Sequence, residues 1–187
     1  MSTLKVAAIN NPSASTGGLA ISTGGVVTGG GLDYITSSSF SAAAAVNVNN
    51  CFTSTYTNYL VVATYTPGAD GDRAITLRLR ASAADITTSA YVTITGTTVG
   101  ATTTSFALGN AYYSTGTGRY GFALTFAQPQ ATAYTQGYGV AWSGSGAALL
   151  PSYIGLMFDG TTTADGFSII TSTSSLTGTV RVYGYRN

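Results

Sequence analysis

Apolar residues fall at alternate positions over most of this chain and almost nowhere at helical spacing. The clearest case is residues 74–80, where Ile75, Leu77 and Leu79 alternate with Thr76, Arg78 and Arg80. A period of two puts one set on each face of a pleated strand. Residues 119–126 repeat the pattern, with Tyr120, Phe122, Leu124 and Phe126 on one face and small residues opposite. Residues 137–142 carry the same large-and-small alternation up to Trp142. In the closing stretch Leu176, Val180 and Val182 share a face, while Arg181, Tyr183 and Tyr185 take the other. Residues 59–65 form a nearly unbroken β-favouring run, the pattern of a central strand. Further strands are predicted at 91–95, 153–158 and 167–170.

Turn signals separate these runs. Pro67 and Gly68 open a turn that runs to Asp72, which predicts a hairpin over 59–80; Asp159 and Gly160 close the strand at 153–158. The alanines at 42–45 suffice for one helical turn, but the serines and asparagines around them oppose a longer helix. About eight strands at this spacing predict an all-β fold: an antiparallel β-sandwich, jelly-roll-like, over residues 32–187. Residues 1–31 differ. Their short apolar pieces are split by loop clusters and glycine pairs and cannot bury a core alone. They are predicted to form an extended N-terminal anchoring arm, with Leu4, Val6, Ile9 and Pro12 as candidate anchoring residues.

Composition sharpens this picture. Charged residues are 7% of the chain, against about 25% in an average globular protein. Glu and His are absent, and Lys5 is the only lysine. A net charge of +1 leaves no electrostatic footprint for nucleic acid. No apolar run approaches the length of a membrane span, and residues 1–7 do not resemble a signal peptide. A chain with so little charge has little repulsion to keep it dispersed, which favours burial of its surface in an assembly. Cys51 stands alone, so no intrachain disulfide forms; it is expected to be a small buried residue.

The chemistry available is narrow. Without His there is no Ser-His-Asp or Cys-His arrangement, nothing to activate Cys51, and no zinc site. The carboxylates are six Asp, at 33, 70, 72, 85, 159 and 165, in or near turns where Asp bonds locally. Asp70 and Asp72 fall short of a calcium ligand set, and Gly29 to Gly31 lack the Lys-Ser/Thr of a phosphate loop. The expectation is a non-enzymatic protein with no cofactor and no metal. Arg78 and Arg80 lie on a polar strand face. They are either solvated or, with Arg181 and Tyr183, candidate subunit-contact residues, because Arg suits ion pairs with an Asp across an interface. Tyr112 and Tyr113, beside the Gly116–Gly118 loop, are candidate contacts for a host surface glycan or protein.

Several pieces together resemble a broad group of phage virion proteins. The opening LKVAAINNPS at 4–13 is similar to a short N-terminal signature of tail-fibre and particle-surface proteins. Residues 39–42, 46–52 and 56–60 resemble the first sandwich strands of that group, as do residues 77–80 and the closing residues 178–185. The resemblance is patchy between about 96 and 150. It implies a homotrimeric protein on the virion surface, made in the host cytoplasm, whose partners are other phage particle proteins of the tail or the major capsid. A tail-fibre-like protein attached by its arm is the leading expectation and a capsid decoration protein the alternative. A free carbohydrate-binding module is disfavoured by the missing export signal and by a single tryptophan, Trp142, inside a predicted strand.

Overall fold

The computed structural model describes residues 31–68, 71–95, 97–113, 119–145, 148–172 and 175–186, together with two short strands at 20–21 and 27–28. The described residues form strands and no helix. In chain order these are β1 (Ala20–Ile21), β2 (Val27–Thr28), β3 (Leu32–Ala43), β4 (Ala45–Val48), β5 (Asn58–Pro67), β6 (Gly71–Ala81), β7 (Ala84–Asp85) and β8 (Tyr91–Thr95). They continue with β9 (Thr98–Val99), β10 (Phe106–Tyr113), β11 (Tyr120–Ala127), β12 (Thr135–Ser145), β13 (Ala148–Phe158), β14 (Gly166–Thr171) and β15 (Leu176–Tyr185). All pairings are antiparallel.

Two sheets make the sandwich. The larger runs β3-β15-β5-β11-β12-β13-β8-β9, and the smaller runs β10-β6-β14-β4 with β7 paired to β6. The alternation read from the sequence decides which side chains meet between them. Val61, Phe122, Phe126, Val180 and Val182 of the larger sheet face Ile75, Leu77, Leu79, Phe106, Phe167 and Ile169 of the smaller, each at most 1% exposed. Burying an aromatic or branched side chain this fully contributes roughly 1.5–3 kcal/mol, so this layer holds the two sheets together. Phe52 tightens one end, with ring centroids 4.8 Å from Tyr59 and 5.8 Å from Phe126 and from Phe167. β5 is central, as its unbroken run predicts, lying between β15 and β11.

Three expectations are corrected. Residues 59–80 are not a hairpin: β5 belongs to the larger sheet and β6 to the smaller, so the chain crosses between layers at Pro67 and Gly68. Both edges of β5 are occupied by β11 and β15, which leaves no edge for β6. Gly68 instead donates its N–H to the Ser175 carbonyl at 2.8 Å, tying the turn to the start of β15. Residues 42–45 make no helical turn; β3 bends into β4 there, with Ala42 at φ 49°. The strands over 32–185 number thirteen against the expected eight: β4, β7 and β9 are short pieces with no pattern of their own, and Ser, Ala, Gly and Asn blur the alternation of β3 and β10.

Candidate functional site

The outer side of the smaller sheet is polar and closed on itself. Register places Arg78 opposite Ser168 and Ser168 opposite Asn47, so these residues share that face. Arg80 also lies there yet is only 7% exposed. Its guanidinium donates to Asn49 Oδ1 at 2.8 Å, to Asn47 Oδ1 at 3.1 Å, to Asp85 Oδ1 and to the Ala83 carbonyl. The turn that brings Asp85 back uses Ser82 and Ala83 at positive φ, 50° and 63°. Ser168 donates to Asp85 Oδ1 at 2.9 Å, and the Arg78 Nε donates to the Thr104 carbonyl at 3.0 Å. Arg78 also lies 3.9 Å from Asp85. Both arginines therefore find their carboxylate within the chain, where the sequence suggested one from a neighbouring subunit. A buried guanidinium with four of its five N–H donors engaged is a rigid structural group.

The outer side of the larger sheet is aromatic and open. Across its strands the rows read Tyr183, Leu60, Thr125, Tyr138 and Gly155; then Arg181, Val62, Ala123, Val140 and Tyr153; then Thr179, Thr64, Gly121, Trp142 and Pro151. Tyr138 is 69% exposed, Tyr153 78% and Trp142 39%. On β12 the large residues point outward and Gly137, Gly139 and Ala141 inward, where β10 packs against this strand. Trp142 stands opposite Gly121 and Tyr138 opposite Gly155, so aromatic side chains neighbour glycines that leave the pleat bare. Tyr183 meets Tyr34 of β3 edge to face at 6.0 Å. Among these strand positions Arg181 is the one cation, and none is a carboxylate. Arg181 and Tyr183 thus lie on the opposite side of the sandwich from Arg78 and Arg80.

One end of this face is clasped. Arg186 pairs with Asp33 at 2.6 Å, and the Tyr56 hydroxyl donates to the same carboxylate at 3.0 Å. The Arg186 hydrogen bond, with help from Tyr56, holds the Asp33 carboxyl below its ordinary value. At the other end a shallow cavity of about 290 Å³ is lined by Thr64, Thr66, Thr177, Thr179 and Arg119, with the backbone of Tyr65 and Gly178. Sequence reasoning missed this cavity, because a threonine ladder gains meaning only when strand register sets Thr66 beside Thr177 and Thr64 beside Thr179.

Cys51 is fully buried, and desolvation pushes its thiol up to about 12, away from reactivity. Among the described residues no group of three or more potential metal ligands comes together. Leu4, Val6, Ile9, Pro12, Asp70 and the loop at 116–118 lie outside the described residues. Tyr112 and Tyr113 end β10, their backbone in register with Asp72 and Gly71 of β6; their side chains lie outside the described residues. No known family model matches the chain, and no characterised protein matches it.

Proposed function

We propose that this chain is a non-enzymatic structural protein of a bacteriophage particle, displayed on the exterior as a homotrimer with a jelly-roll-like head and held, like a tail fibre, through residues 1–31. The observation that carries this reading is strand β3. Among the described residues it is a 12-residue edge of the larger sheet, and its one charged residue, Asp33, is already held by Arg186. Long edge strands without charge, proline or cover pair with other chains. Beside that edge the outer face presents Tyr34, Arg181 and Tyr183, aromatic and guanidinium groups of the kind that anchor protein interfaces.

Of the candidate contact residues, Arg181 and Tyr183 lie beside the β3 edge and support a contact there, while Arg78 and Arg80 are held by Asp85 within the chain. The chain's lack of His and Glu supports a structural over a catalytic role. The test is on the particle: gold-labelled antibody against residues 32–187 is expected to mark tails, at a few dozen copies per virion at most. Label over the whole shell at hundreds of copies reassigns the protein to capsid decoration, and absence from purified virions overturns the reading.

A further inference from the structure

The threonine cavity at the far end of the larger sheet has the make-up of a ligand site. Thr177 and Thr179 of β15 face Thr66 and Thr64 of β5 across the ladder, and the hydroxyls of Thr64 and Thr179 lie 3.4 Å apart. Each hydroxyl is both donor and acceptor, so four of them on one shallow floor match a ligand rich in hydroxyls. Arg119 borders the same cavity. It is exposed, and it takes part in none of the three ion pairs among the described residues. Among the described residues no carboxylate lines the cavity, so its guanidinium fork suits an anion from outside the chain.

A stacking surface adjoins these polar groups. Gly121 lies directly opposite Thr64 on one side and Trp142 on the other. Trp142 is therefore two strands from Thr64, roughly 10 Å, with the buried Gly121 between them. Its indole keeps 39% of its surface exposed. The C–H face of a pyranose ring packs on such an indole, because the ring's negative π-face attracts weakly positive C–H groups.

We propose that this cavity binds an acidic saccharide, with the sugar ring against Trp142, its hydroxyls on the threonines, and a carboxylate or sulfate on Arg119. The site lies on β15 and β5, one strand in from the β3 edge, where the Ala42 N–H donates to the Thr177 hydroxyl at 3.1 Å. It does not rest on the virion reading, because binding is measured on the isolated protein.

The experiment is calorimetric titration of the full chain with three probes: a galacturonate trimer, a sulfated heparin tetrasaccharide, and the fully methyl-esterified galacturonate trimer. At least one acidic probe is expected to bind: galacturonate binding assigns the anion as a carboxylate, and heparin binding without galacturonate binding assigns it as a sulfate. If galacturonate binds, its methyl ester is expected to bind at least about tenfold more weakly, about 1.4 kcal/mol. Arg119→Gln is expected to weaken the acidic probe by a similar factor, Trp142→Ala by about fivefold, and Arg78→Gln, on the opposite face, not at all. Arg119→Lys, which keeps the charge and loses the fork, is expected to fall between. The proposal is overturned if neither acidic probe binds below about 10 mM, if the methyl ester binds as well as the acid, or if Arg78→Gln weakens binding as much as Arg119→Gln. Unchanged circular dichroism of each variant separates lost binding from lost folding.

Discussion

On the outer side of the smaller sheet, Arg80 is engaged by Asn47, Asn49, Asp85 and the Ala83 carbonyl, with Ser168 completing Asp85. On the outer side of the larger sheet, Arg119 and Arg181 are exposed and pair with no carboxylate among the described residues, and Tyr138, Trp142 and Tyr153 project from adjoining strands. The same residue type therefore serves two ends in one fold. Where strand register supplies neutral amides, a serine and an aspartate around a guanidinium, the arginine stabilises its own chain. Where the neighbours are threonine, glycine and alanine, it remains available to another molecule. The number of charges does not separate the two faces; what surrounds each charge does.

The largest expected effect is on the closed face. Arg80→Ala leaves Asp85 and two asparagines without their shared donor. It is expected to cost about 3 kcal/mol in urea unfolding, whereas Arg181→Ala is expected to stay within about 0.5 kcal/mol. Equal effects would erase the contrast between the faces. A smaller step on the closed face is Ser168→Ala, which removes the fully buried hydroxyl bonded to Asp85 and is expected to cost about 1 kcal/mol by the same assay.

Much of this fold is legible in the one-dimensional pattern, because sheet burial has a period of two. Tyr120, Phe122, Leu124 and Phe126 are all buried, as their alternation requires, and so are Val180 and Val182. What the pattern does not carry is the partner of each strand. Pro67 and Gly68 signal a turn in either case, but only the occupied edges of β5 turn a hairpin into a crossing between sheets. The alternation on β12 likewise does not say which set points inward; its glycines do, because β10 packs on that side. The polar cluster was half legible. Arg78 and Arg80 stand out in sequence, but Asn47, Asn49 and Ser168 reach them from strands far along the chain.

On the open face, Trp142→Ala is expected to change unfolding free energy by less than about 1 kcal/mol, since the indole is partly exposed and its removal opens no core cavity. A loss of 3 kcal/mol or more would make Trp142 a packing residue and remove the reason to read this face as available. The smallest effect concerns the clasp at its edge. Asp33 has a depressed folded value because of Arg186 and Tyr56, so its contribution is present above the ordinary carboxyl value of 3.8 and is lost as pH falls through the folded value. Carboxyl NMR titration is expected to place the Asp33 midpoint below 3.8 and to return it toward that value in Arg186→Ala. An unshifted midpoint in the parent chain would show the clasp open in solution.

In the proposed trimer, copies of this chain meet on the larger sheet. Size exclusion with light scattering of the full chain, across micromolar concentrations and beside Tyr183→Arg, tests it most directly. The expected result is the mass of three chains for the parent and of one chain for the variant. A parent that runs as a single chain throughout, or a variant that remains a trimer, would contradict it.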